Sequence, residues 1–193
     1  MSIVVIAGLG NPGEKYAATR HNVGVWLLER LASSANVTLK AEKKVLGDVA
    51  QAAIGDSNVR LLRPATYMNE SGRSVRAMLD FYKVGPEQLL VMHDELDLPP
   101  GTVRLKKGGG HGGHNGLRDI IAHCGQDFMR LRIGIGHPGD KSQVTNFVLK
   151  PPGQAERQLI EDALSDAERA IRVLVSDGPE KAMHFLHTDQ SGK

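Results

Sequence analysis

Apolar positions along the chain follow two rhythms. Short, nearly continuous runs at 3–8 (Ile3-Val4-Val5-Ile6-Ala7), 46–54, 59–63, 88–93, 102–106 and 130–135 have the length and residue types of strands. Longer stretches at 22–35, 71–83, 114–123, 154–175 and 178–187 repeat their apolar residues every three or four positions, as a helix with one buried face does. Val91-Met92 and Ile133-Gly134-Ile135 read as interior strands. Asp48 to Ile54 and Val59 to Leu62 read as a hairpin across Gly55-Asp56-Ser57-Asn58. Pro151-Pro152-Gly153 stops whatever precedes it and opens a long helix with an apolar stripe of Ala155, Leu159, Ile160, Ala163 and Ala167. Strands alternating with helices, and one hairpin among the crossovers, predict an α/β fold. The expectation is a single domain over residues 1–193, a mixed and mostly parallel twisted sheet surrounded by helices.

Polar residues gather where these elements meet. Beyond the first strand, the stretch from Gly8 to Gly24 sets Asn11, Tyr16, His21 and Asn22 at a strand's carboxyl end, where open α/β sheets bind ligands. Gly8-x-Gly10-x-x-Gly13 is spelled like a dinucleotide fingerprint. Yet Pro12-Gly13 makes a turn, and the next helical pattern waits until about Asn22, so no helix N-terminus follows the glycines to take a pyrophosphate. The acid in the expected window, Glu29, falls in mid-helix. The glycines read instead as a tight loop passing close to a substrate, and no cofactor is expected.

His21 is the candidate general base, an imidazole that titrates near neutrality at a helix start. In His93-Asp94-Glu95-Leu96-Asp97, Asp94 follows another interior strand, where its carboxylate could hold one ring nitrogen of His21 and leave the other free to take a proton. No Gly-x-Ser-x-Gly elbow occurs, which points to an activated water rather than a nucleophilic side chain. Asn11, Asn69 and Asn115 stand at strand-to-helix junctions, and each amide can read a peptide or stabilise an oxyanion. Taken singly, each is a turn or cap residue. The glycine run from Gly108 to Gly116 could cradle a phosphate, or with Lys106 and Lys107 form a mobile basic lip. His93, His111 and His114 match no zinc spacing, and no metal is expected.

Composition narrows the setting. At 193 residues and 40% apolar, the chain can bury a core as one domain. One cysteine, Cys124, excludes an internal disulfide and fits a reducing cytoplasm, and at the end of an apolar helical stretch it reads as a small core residue. No basic leader precedes Ile3, and no apolar run reaches the ~18 residues of a membrane span. Net charge is +2, but residues 101–150 carry five more basic than acidic side chains and residues 151–193 three fewer. A basic middle with an acidic tail suits an anionic partner.

Six ordered blocks complete the reading: Gly8–Tyr16, Thr19–Asn22, Pro64–Asn69, His93–Gly101, Gly108–Gly116 and Arg132–Gly139. Together they resemble the bacterial peptidyl-tRNA hydrolase family across roughly residues 3–150. The resemblance implies a monomeric, cytoplasmic α/β enzyme without cofactor, which cleaves the ester linking a peptide to the 3′-terminal ribose of tRNA. It implies His21 as catalytic base and Asp94 as its orienting acid. Asn11, Asn69 and Asn115 match substrate-positioning amides, Tyr16 and Met68 match residues lining the peptide cleft, and Lys106 and Arg132 match tRNA contacts. Residues 40–48 and the tail from His187 to Lys193 carry little of the pattern.

Overall fold

The computed structural model describes residues 2–191. Seven strands, β1 Val5–Gly8, β2 Lys40–Glu42, β3 Gly47–Ile54, β4 Ser57–Pro64, β5 Leu89–Glu95, β6 Val103–Lys107 and β7 Met129–Gly134, form one sheet in the order β2-β3-β4-β1-β5-β7-β6. Its centre, β4-β1-β5-β7, is parallel, and β2, β3 and β6 are antiparallel at the flanks. The helices are α1 Glu14–Ala17, α2 Val23–Ser34, α3 Ser71–Tyr82, α4 Asn115–Cys124, α5 Val144–Val148, α6 Gln154–Asp177 and α7 Pro179–Ser191. The α/β reading therefore holds.

Both sheet faces are covered, which is why β1 and β5 are apolar without alternation. Ile6, Leu90, Met92 and Leu131 pack with Leu28 of α2 and Ile171 of α6. Val5, Ala7 and Val91 face the other way, toward Met78 of α3 and Ile120 of α4. Alternation along each strand thus feeds two cores from one apolar run.

Three details correct the sequence reading. The hairpin turn is two residues, not four: Ile54 pairs with Ser57, so Ser57 and Asn58 belong to β4, and Gly55 at φ +59° permits the reversal. On α6, Ala155 and Leu159 face outward. Ile160, Ala163, Leu164, Ala167, Ile171 and Leu174 form the buried stripe, with Leu159 turned about 100° from it. The strand following Gln88 runs past its expected end at 93 to Glu95, with Asp94 at the carboxyl end of β5.

The glycines near the first strand also serve another purpose than the one expected. A Cβ at Gly24 would lie 2.3 Å from the Met92 carbonyl oxygen, and one at Gly8 would lie 2.5 Å from the Gly24 carbonyl oxygen. They let the start of α2 sit directly on the carboxyl ends of β1 and β5. Gly24→Ala is expected to cost about 1–3 kcal/mol through overpacking. Chemical denaturation measures this, and an unchanged midpoint would mean that α2 can shift without penalty.

The edge strand β6 is closed by α7, where His187 Nε2 accepts a hydrogen bond from the Leu105 N–H at 3.2 Å. The first residue of the tail thus docks on the sheet, while Gly192 and Lys193 lie outside the described residues. Among the described residues no helix is long and apolar enough to cross a membrane.

Candidate active site

Three strand-to-helix junctions and the end of β5 converge on a cleft of about 610 Å³ beside the carboxyl ends of the parallel strands. Asn11 follows β1, Met68 and Asn69 follow β4, His93 and Asp94 end β5, and His114 and Asn115 open α4. All of them line it.

The first junction is tied together by its own side chains. Asn22 donates from Nδ2 to the Asn11 carbonyl and accepts from the Asn11 N–H, both at 2.9 Å, much as a neighbouring strand would. Thr19 Oγ1 donates to the Tyr16 carbonyl at 2.8 Å. Between these ties, Arg20–Asn22 form a single tight turn that buries His21. Glu29, which the dinucleotide reading would need, instead pairs with Arg63 at 3.1 Å.

Asp94 is the hub. Its Oδ2 lies 2.8 Å from His21 Nδ1, and its Oδ1 lies 2.7 Å from His114 Nε2. The tautomer of His114 follows from its neighbours. Its Nδ1 caps α4, accepting from the N–H groups of Gly116 and Leu117 at 3.1 and 3.2 Å, so its proton is on Nε2 and is donated to Asp94. Asp94 therefore accepts from two imidazoles, one on each side. Burial alone would raise its pKa, but its electrostatic interaction with the His21 and His114 imidazoles and the hydrogen bonds they donate hold it far below the usual carboxylate range.

His21 feels opposing pressures. Burial favours the neutral ring, and the Asp94 charge with its hydrogen bond outweighs that, so the His21 pKa is raised. With Nδ1–H held by Asp94, the lone pair sits on Nε2, on the side available for a proton. His93 is different. Its Nδ1 donates to the Asp94 carbonyl at 2.8 Å, and burial, with the His114 imidazole close by, lowers its pKa to about 4, which keeps it neutral.

The amides have a readable polarity. Met68 donates its N–H to Asn11 Oδ1 at 2.7 Å, and Arg118 donates to Asn115 Oδ1 at 3.2 Å. Both oxygens being occupied, each residue has its NH₂ left to offer. Asn69 stands exposed in the turn Met68–Glu70 before α3.

Other expected residues are placed less simply. Met68 is buried in the cleft wall. Tyr16 is outside the lining and meets it edge-on through Tyr67, with ring centroids 6.4 Å apart. Lys106 is exposed on β6, whereas Arg132 is engaged by Glu95 at 2.9 Å. Arg130, counted in the basic middle, is buried beneath the glycine loop and donates to the carbonyls of Gly109, Gly110 and Gln126. The charge count thus overstates the free positive surface. Cys124 is half-buried at the end of α4, outside the cleft lining, and burial pushes its thiol up to about 11.

Sequence reasoning weighed His114 only as a metal ligand. Its position just before Asn115-Gly116-Leu117, an N-cap slot, was the available signal. The ligand atoms that do converge are those of His21, Asp94 and His114, within 4.8 Å of one another. Each of them is already half of a hydrogen bond, so a cation there would have to displace both imidazole protons.

On an α/β sheet, a buried carboxylate flanked by two imidazoles in a cleft is a site equipped to hold and pass protons. Comparison with known proteins makes this specific. Residues 5–193 match the family model described as peptidyl-tRNA hydrolase. The chain is 55% identical over 194 residues to the peptidyl-tRNA hydrolase of Sodalis glossinidius, covering 100% of both. It is 52% identical to that of Haemophilus influenzae strain Rd, covering 96% of this chain and 97% of the relative. The crystal structure of peptidyl-tRNA hydrolase from Acinetobacter baumannii superposes with a TM-score of 0.93 at 49% identity, covering 95% of this chain and 94% of that one. The chain belongs to the peptidyl-tRNA hydrolase family.

Proposed function

We propose that this protein hydrolyses the ester between a peptide and the 3′-terminal ribose of tRNA, with His21 as general base toward water and no covalent intermediate. The observation that carries this is the 2.8 Å contact of His21 Nδ1 with Asp94 in the cleft. It orients the ring and raises its basicity while leaving Nε2 to accept a proton from water. The hydroxyls lining the cleft, those of Thr145 and Tyr67, have no hydrogen bond to an imidazole among the described residues, and the Cys124 thiol lies elsewhere. An ester needs little help for its leaving group, so one base and an oxyanion donor suffice.

The NH₂ groups of Asn11 and Asn115 supply donors for the ester carbonyl and for the first peptide carbonyl. An aminoacyl ester lacks the second carbonyl and would leave one donor unmatched. Met68 and Tyr67, backed by Tyr16, supply apolar contact for the peptide, and Asn69 a further amide at the rim. Lys106 faces the RNA phosphates from the rim, while Arg132 contributes through an existing pair with Glu95.

Hydrolysis of N-acetyl-aminoacyl-tRNA in the presence of EDTA tests the proposal. Release of free tRNA is expected at the rate seen without chelator, and no release would refute the substrate. Lys106→Ala should flatten the slope of log affinity against log salt by about one unit for tRNA. Arg132→Ala should flatten it less. Equal slopes for wild type and Lys106→Ala would move the RNA surface elsewhere.

A further inference from the structure

Between β7 and α6, residues Val144, Thr145, Val148 and Leu149 form one wall of the cleft. The first three belong to α5, a single five-residue helix, and Leu149 caps its carboxyl end. A helix this short has no stability of its own and depends on what holds its ends.

One side chain holds this one. Arg20 reaches across from the turn that carries His21. Its Nη1 donates to the Phe147 carbonyl at 2.9 Å and, at 3.4 Å, to that of Lys150, while its backbone N–H donates to Lys150 at 3.1 Å. Those are carbonyls at and beyond the carboxyl end of α5, where a helix leaves acceptors unpaired and favours a cation. The guanidinium also stacks 3.9 Å from the Phe147 ring centroid and lies 3.7 Å from the Glu156 carboxylate in the first turn of α6. The Arg20 side chain is only 10% exposed, and its buried Nε has no partner among the described residues. A guanidinium taken from water at that cost, one residue before the base, is more than a surface ion pair.

We infer that Arg20 is a positioning residue, which ties the α5 wall of the cleft to the His21 turn and so governs how the acyl half of the substrate is held. The substrate half of this rests on the hydrolase reading; the tether does not. Val144, Val148 and Leu149 are aliphatic and meet the peptide, whereas the His21 ring is held by Asp94 of β5, a separate element. Loosening the wall therefore weakens binding before it slows bond cleavage.

Hydrogen exchange and kinetics on the full chain test the tether and its consequence separately. In Arg20→Gln, amide exchange over residues 144–150 should rise about tenfold or more, with that of β5 unchanged. KM for peptidyl-tRNA should rise about tenfold, with kcat nearly kept and the pH profile of kcat/KM unmoved. Arg20→Lys should recover part of the KM, since an ammonium can serve a carbonyl but cannot fork or stack. Phe147→Leu, which removes the stacked ring and keeps an apolar side chain, should shift exchange and KM the same way to a smaller degree, and it serves as the test if Arg20→Gln does not fold. Unchanged exchange over 144–150 in a folded variant would overturn the tether. A fall in kcat with a shifted pH profile and constant KM would place the action of Arg20 on His21 instead. A wild-type chain without turnover would defeat the hydrolase reading while leaving the exchange result to judge the tether.

Discussion

Replacing Asp94 with asparagine should abolish most turnover while leaving the cleft in place, because it reverses the tautomer of His21. Two N–H groups of α4 hold His114 Nδ1 as an acceptor, so His114 must donate its Nε2–H to residue 94. In Asp94→Asn only the amide oxygen can accept that proton, which turns the new NH₂ toward His21 Nδ1. His21 must then carry its own proton on Nε2, the nitrogen needed for water. A kcat loss of about 10³–10⁴ is expected, the scale seen when an orienting carboxylate of a hydrolase becomes an amide. The loss should fall on kcat more than KM. An Asp94→Asn enzyme within tenfold of wild type would show that His114 does not impose the polarity of the pair. This effect depends on His114, and no spacing rule would have placed that residue opposite His21.

His21→Ala should reduce kcat by at least ~10², the lower end for removal of a general base, with tRNA affinity kept. The side chain is buried beside a carboxylate, so some instability is expected as well, and a thermal melt separates the two effects. Combined with Asp94→Asn, the second change should cost little further, because both remove the same function. Additive losses in the double variant would mean that Asp94 acts through something other than His21.

How much of this was legible beforehand divides along physical lines. The parallel centre of the sheet was readable because β1 and the first half of β5 are apolar on both faces, whereas β7 alternates Met129, Leu131 and Ile133 with Arg130 and Arg132. β2, α1 and α5 were not. They are three, four and five residues long, too short for a period to show, and β2 reads Lys-Ala-Glu at an exposed edge. Their existence depends on partners distant in sequence, as α5 depends on Arg20. The pairing of His21 with Asp94 was inferable from two strand ends, since adjacent parallel strands bring their carboxyl ends together. The packing of Gly8 against Gly24 was not legible because a glycine in a loop and a glycine under a helix look alike until the helix is seated. Arg130 and Arg132 looked like surface charge for the same reason. A charge count cannot tell a guanidinium under a loop from one in solvent.

The base assignment can be read from His21 itself. Its ring can be titrated by ¹⁵N NMR alongside the pH dependence of kcat/KM for N-acetyl-aminoacyl-tRNA. In the proposed mechanism the neutral form is the active one, and Asp94 raises the midpoint above the ordinary 6.5, so activity should be lost as pH falls through that raised value. The expected result is a ring protonated on Nδ1 and free on Nε2 near neutrality, with an NMR midpoint above 6.5 that coincides with the acid limb of the rate profile. A proton found on Nε2, or an acid limb that does not follow the His21 midpoint, would contradict the assignment of His21 as the base.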